Sequence, residues 1–238
     1  MWSVSIVVPV LNGAKTISSC IEALLEQDYD KSLYEIIVVD NGSTDDTRAI
    51  AGRYPVILLL EESIRTSYAA RNRGVAQARG EIVAFIDSDC IAASDWLREL
   101  VAPFSSDRCG AAAGAIGDAA PATLCEEFSA RIQPFARPER SNLRTLLTAN
   151  VAVRRDVLAA LGGFNAQLPT GGDVDLGWRI QRDLGLDLLD APRAAVRHVH
   201  RSNFSGLFAQ FRRYGLSEIL LTTLYSGGAG SAKPAEQY

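Results

Sequence analysis

Glu81-Ile-Val-Ala-Phe-Ile-Asp87-Ser88-Asp89 is the stretch whose reading decides the fold. Its centre, Ile82–Ile86, is apolar without alternation, as in a strand buried on both faces, and parallel sheets bury both faces. Val4–Val10, Glu35–Val39 and Val56–Leu60 have the same character. Segments of helical period lie between them. Ile17, Ile21, Leu24 and Leu25 make one apolar stripe at spacings of three and four. Ser43 followed three residues later by Asp46 is a capping-box pattern for the helix after the second run. Ser67–Ala78 is alanine-rich with strong helix formers. Strand and helix in alternation predict an α/β chain with a doubly wound, mostly parallel central sheet flanked by helices.

The second half is less regular. Residues 105–150 carry few strong periods and several Pro and Gly, as expected for loops that shape a pocket. A strand–helix unit is expected over Asn150–Leu161, a helix near Asp173–Leu184, and short strands near Leu186–His198. An amphipathic helix follows from about Phe204 to Tyr225, and GGAGSAKPAEQ reads as a flexible tail. On that helix Phe204, Leu207, Phe208 and Phe211 share a side with Arg212 and Arg213 nearby. Packing against the domain is the simpler account of this face, and a membrane surface is the other.

Composition removes several function classes. Lys and Arg number 24 against 28 Asp and Glu, a net charge of −4, so no basic surface for duplex nucleic acid is expected. A nucleotide ligand stays open, since one metal ion and a few arginines meet its charge. Cys20, Cys90, Cys109 and Cys125 are widely spaced with no CxxC pair, which argues for free thiols in a reducing cytosol and against a zinc ribbon. MWSVSIVVPVLNG lacks a basic n-region and is interrupted by Pro9, so it reads as a strand and not a signal peptide. No apolar stretch approaches the ~18 residues of a membrane span. Gly13-Ala14-Lys15-Thr16 lacks the spacing of a phosphate-binding P-loop, and no GxGxxG follows the first strand.

In open α/β sheets, ligands bind beyond the carboxyl ends of the strands. Asp40 ends the second run and Asp87 the fourth, so both carboxylates fall on that edge, although helix capping or loop solvation would also use them. Asp87-Ser88-Asp89 is sharper. Carboxylates at i and i+2 in a turn can converge on one hard cation, Mg²⁺ or Mn²⁺, that leaves positions for phosphate oxygens. Such a metal offsets charge on a departing diphosphate. Asp173, in GGDVDLGWRI, stands at a helix N-terminus, where it could cap the helix or take a proton from a hydroxyl. His198 and His200 form an HxH pair, which in a strand points to one face.

Five fragments occur in order: SIVVPVLNG, EIIVVDNGSTDDT, SYAARNRGVAQARGEIVAFIDSD, NVAVRRDVLAALGGFN and GGDVDLGWRIQRDLG. Together, from Ser5 to about Gly215, they resemble glycosyltransferase family 2, inverting enzymes of the GT-A fold. The resemblance implies transfer of a sugar from a nucleoside-diphosphate donor to an acceptor hydroxyl, in envelope polysaccharide, glycolipid or other glycoconjugate synthesis. Family frequency favours a uridine diphosphate sugar, with guanosine and thymidine donors open. Residues 1–104 would form the nucleotide-sugar-binding half and 105–225 the acceptor-binding half of one domain, with 226–238 as tail. Pro9, Asn12, Asp40, Arg71 and Asp87 would serve the nucleotide. Asp89, Asp87 and His198, or else His200, would hold Mn²⁺ or Mg²⁺. Asp173 would be the catalytic base, and Asn150, Arg154, Gly163 and Phe164 would border the acceptor. The protein would be cytoplasmic, with peripheral contact to the inner face of the membrane as an option. Gly172 departs from the family, which usually carries glutamate before the base. That departure keeps open a degenerate protein that binds sugar nucleotides without transfer; a nucleotidyltransferase is the more distant alternative.

Overall fold

The computed structural model describes residues 1–132, 143–200 and 204–225. Four strands form its parallel half: β1 (Val4–Val10), β2 (Tyr34–Asp40), β3 (Ile57–Leu60) and β4 (Ile82–Ile86). They lie in the order β3-β2-β1-β4, with β1 in parallel register to both β2 and β4. Every residue of β1 and β4 is buried, as their unbroken apolar runs require. Side chains alternate between two cores. Ile6, Val8, Val38 and Ala84 face α1 (Ile17–Leu25) and α4 (Trp96–Val101); Val7, Ile37, Val39 and Phe85 face α3 (Ser67–Gln77) and α7 (Gly172–Leu184).

The expected capping box does not form. Helix α2 (Thr47–Ala51) is one short turn capped at Asp46 without a side-chain bond. The Ser43 hydroxyl instead accepts from the Asn12 amide at 2.8 Å, and the Ser43 amide donates to Asp40 at 3.0 Å. The loop is committed to the strand edge before it can serve the helix.

The second half makes the sheet mixed. β7 (Asn150–Arg154) runs antiparallel to β4 and to β6 (Cys109–Asp118), while β6 is parallel to β8 (Asp187–His198) and β5 (Cys90–Ala92) closes the far edge. A ten-residue strand thus stands where loops were expected, followed by α5 (Leu124–Ile132). The reading missed β6 because CGAAAGAIGD has the composition of a poor strand former. Its small residues answer to packing: a Cβ on Gly110 would meet Ile180 at 2.7 Å, and one on Gly114 would meet Asn150 at 2.2 Å and the Ala194 carbonyl at 2.4 Å. The short strands expected after Leu186 are one strand, β8, whose register jumps between Gly114↔Ala191 and Ala115↔Ala195 around Pro192.

Helix α6 (Arg155–Leu161) follows β7 directly. The last helix, α8 (Phe204–Tyr225), buries Leu207 and Leu221 and leaves Phe208, Leu216 and Leu224 exposed. Its end docks on α7, where the Tyr225 ring meets Trp178 edge-on at 4.8 Å and its hydroxyl donates to Asp175. The side chains of Phe204, Phe211 and Arg213, and the tail from 226, lie outside the described residues. Among the described residues no helix is long and apolar enough to cross a membrane.

Candidate active site at the carboxyl edge of the parallel strands

The loops after β1 and β2 are stitched together. Asn12, at φ 53°, takes the left-handed conformation that asparagine tolerates better than most residues. Its side-chain oxygen accepts from the Thr44 amide at 2.8 Å, and the Gly13 amide donates to the Thr47 hydroxyl at 2.8 Å. Pro9 is buried in β1 opposite Val39, one residue short of Asp40. Asp40 is fully buried. Its Oδ1 accepts from the Gly42 amide at 3.2 Å, the Ser43 amide at 3.0 Å and the Arg48 guanidinium at 3.2 Å. Its Oδ2 has no partner among the described residues. A buried acceptor left this way costs about 1–3 kcal/mol, and a ligand N–H would remove that cost.

After β4 the chain turns at once: the Cys90 amide donates to the Asp87 carbonyl at 2.9 Å. Asp87 accepts from the buried Arg71 of α3 at 2.5 Å. Arg71 in turn lies over the rings of Tyr68 and Phe164, 5.7 and 6.0 Å from their centroids. Asp89 has different neighbours. The Val199 amide holds its carbonyl at 2.8 Å, and His198 Nε2 stands 3.5 Å from its Oδ1. Pairing of Cys90 with His198 across β5 and β8 sets this proximity. His200 lies 4.8 Å from His198, ring to ring, but its Nε2 is paired with Asp118 at 2.7 Å. The carboxylate suits Mn²⁺ or Mg²⁺, and an imidazole beside it favours the transition metal Mn²⁺ of the two. Among the described residues no three His, Cys, Asp or Glu side chains converge into a closed metal cage. A cation held by this pair alone would keep positions for further oxygen ligands.

Asp173 lies in the first turn of α7, half-buried. The helix is capped by Gly171 at φ 79°, so capping is not the duty of Asp173. Its Oδ1 accepts from the Val174 amide at 3.0 Å and faces the Tyr68 hydroxyl at 3.4 Å; the Thr148 amide lies 3.5 Å from Oδ2. Burial pushes its pKa above the ordinary aspartate value, and the nearby Arg71 charge pulls it back part of the way.

The residues expected on the acceptor side do not meet there. Asn150 is 1% exposed, donates to the Ala115 and Ala194 carbonyls at 2.8 Å each, and accepts from the Trp96 indole at 2.8 Å. It ties β7 to its neighbours and has no free polar atom for a substrate. Arg154 pairs with Ile82 at the opposite end of β4, bonds the Cys109, Phe104 and Ser106 carbonyls, and packs on Trp2. Gly163, at φ 75°, lets Asn72 approach and exchange hydrogen bonds of 2.8 Å with the backbone of Phe164. The Phe164 ring is buried under Tyr68 and against Phe85. These two brace the floor of the site from below. Tyr68 was overlooked; its position three residues before Arg71 on one helix was the available signal, because such residues share a face.

Comparison with known proteins agrees with this geometry. Residues 5–157 match the family model described as Glycosyl transferase family 2. Glycosyltransferase AglE of Haloferax volcanii is 36% identical over 216 residues, 88% of this chain and 71% of that protein. The pre-mycofactocin glycosyltransferase of Mycobacterium tuberculosis is 27% identical over 223 residues, and this chain spans 46% of its length. The mannosyltransferase PcManGT from Pyrobaculum calidifontis, solved with GDP-Man and Mn²⁺, superposes with a TM-score of 0.72 at 25% identity. That superposition covers 98% of this chain and 66% of the mannosyltransferase.

Proposed function

This chain belongs to glycosyltransferase family 2 and is a glycosyltransferase of the GT-A fold; on that premise we propose that it inverts the anomeric centre in a single displacement from a nucleoside-diphosphate sugar. Membership sets aside a nucleotidyltransferase; the binding-only member that Gly172 kept open is tested by measured sugar transfer.

The base of the donor lies against β2, with Asp40 Oδ2 accepting its ring N–H. Uracil N3–H and guanine N1–H both present such a donor, so uridine is the first reading. Guanosine is the second, supported by the GDP-Man bound to the related mannosyltransferase. Asn12 and Pro9 shape the loop on which the base rests. Asp89 and His198 would hold Mn²⁺ or Mg²⁺, which supplies charge compensation to the leaving diphosphate when bound. Asp87 keeps Arg71 extended beneath the donor. Asp173 takes the proton of the acceptor hydroxyl as its oxygen bonds to the anomeric carbon and the sugar–phosphate bond breaks. Desolvation makes that carboxylate a stronger base than a surface aspartate. The observation that carries this reading is Arg71, bound to Asp87 of the metal turn and within the field of Asp173. One guanidinium joins the donor side to the base. Acceptors in polysaccharide or glycolipid assembly are the class we expect.

A thermal-shift panel of UDP, GDP, dTDP and CDP with Mn²⁺, Mg²⁺ or chelator tests the donor site. Saturation at ~100 times the dissociation constant adds roughly 2.7 kcal/mol, and each kcal/mol moves the midpoint by about 2–4 °C at this size. A metal-dependent shift for UDP or GDP, lost in Asp89→Ala, is expected. No shift with any nucleotide would end the proposal.

A further inference from the structure

Gly172 precedes the base, and the space that a side chain would take there is filled from another helix. A Cβ on Gly172 would lie 3.0 Å from each of Cδ2, Cε2 and Cζ of Tyr68. Equal distances to three ring atoms mean that the flank of the aromatic ring occupies the place. The ring cannot swing away freely. It is 6% exposed, stacks on Phe164 at 5.8 Å and 22°, and carries Arg71 at 5.7 Å. Its hydroxyl ends 3.4 Å from Asp173 Oδ1.

We infer that Tyr68 is the positioning residue of the catalytic base: its hydroxyl orients the Asp173 carboxylate, and its ring replaces the side chain that position 172 lacks. This rests on Asp173 being the base. Burial raises the Tyr68 phenol well above its ordinary value, so it stays protonated and donates. Where a glutamate at position 172 would put a second carboxylate beside the base, this chain places a neutral donor. The site therefore has one negative charge fewer, and the charged form of Asp173 is favoured by a donor instead of opposed by a like charge. Among the described residues, the groups facing Asp173 are few. Arg71 and Tyr68 come from α3, with Asp87 behind Arg71. The Thr148 amide comes from the segment before β7, and the Val174 amide from α7 itself. Gly172 is then no sign of decay, because Tyr68 and Gly172 form one complementary pair.

The test is a cycle of Tyr68→Phe, Tyr68→Ala, Gly172→Glu and Tyr68→Ala/Gly172→Glu in the full chain with Mn²⁺. Release of nucleoside diphosphate is followed from UDP-glucose, UDP-N-acetylglucosamine and GDP-mannose. Tyr68→Phe keeps the ring, so kcat should fall roughly tenfold with donor KM unchanged, and the acid limb of the pH profile should move up. Gly172→Glu should be damaging alone and far less so with Tyr68→Ala, a coupling readable in melting temperature as well as in turnover. Equal damage from Gly172→Glu in both backgrounds would overturn the pairing. A Tyr68→Phe variant within twofold of wild-type kcat, with an unmoved pH profile, would overturn the positioning role. Asp173→Asn separates the layers: if it is inactive while Tyr68→Phe is normal, this inference alone fails. If Asp173→Asn turns over like wild type, the base assignment fails first.

Discussion

Replacing Asp40 with asparagine should invert the base preference of the donor site. The structure fixes which way the new amide points. Oδ1 accepts from the Gly42 and Ser43 amides at 3.2 and 3.0 Å, so that corner must remain an oxygen. The amide nitrogen then takes the place of Oδ2, the atom with no partner among the described residues. An acceptor becomes a donor. Uracil N3–H and guanine N1–H lose a charge-assisted bond and meet a second N–H, which together cost about 2–4 kcal/mol. That is roughly a 30- to 1000-fold loss of UDP or GDP affinity. Cytosine presents N3 as an acceptor, is opposed by the wild-type carboxylate, and should gain about 1–2 kcal/mol in the variant. A site built to bond a ring N–H rejects its mismatch strongly because the buried partner is left unpaired. The fold loses only the ion pair with Arg48, whose side chain is 43% exposed and also bonded to Glu62. Solvent screening of that half-exposed guanidinium keeps the loss small. Calorimetric titration of UDP, GDP and CDP with Mn²⁺ on both proteins measures the switch. A folded variant with an unchanged UDP-to-CDP ratio would refute the placement of the base at Asp40.

Three further outcomes are expected. Burial raises the Asp173 pKa in the folded state, so activity that depends on its carboxylate should be lost as pH falls through a value above the ordinary aspartate range. Above that raised value the buried charge is a cost to folding, and below the unfolded value of about 3.9 both states are protonated and the cost vanishes. Asp173→Asn should therefore melt higher than wild type at pH 7, with the gain fading toward pH 4; equal melting temperatures throughout would contradict the burial argument. Asn150→Ala leaves the buried Trp96 indole and two carbonyls without their partner. It should cost about 2–4 kcal/mol, a fall of roughly 5–15 °C, with nucleotide affinity unchanged. Lost UDP binding at an unaltered melting temperature would return Asn150 to the site.

Much of this was written along the chain. β1 to β4 were legible because strands buried on both faces must be apolar throughout, and that demand is local. Asp40 and Asp87 were placed at the ligand edge by the rule for strand ends, and Asp173 at a helix start by its position before an apolar period. The Asp87-Ser88-Asp89 turn was legible at the strand end, but its two carboxylates do not act as one pair: Asp87 is bound to Arg71 and Asp89 lies beside His198. β6 was not, because its alanines and glycines answer to Ile180, Asn150 and Ala194, which lie far along the sequence. For the same reason Asn150 and Arg154 were misjudged: their polar atoms are taken by carbonyls brought near only by sheet pairing.

Which histidine lies beside Asp89 required the register of β5 on β8, which sets His198 there and pairs His200 with Asp118. Tyr68 and Gly172 stand 104 positions apart in the sequence, and nothing in either neighbourhood announces that one fills the space of the other. The sequence alone determined the strand edge and the family, because periodicity and short motifs depend on neighbours along the chain. Tertiary structure alone decided which side chains reach the site and which are spent holding it up. Those outcomes depend on partners that only folding brings within hydrogen-bond distance.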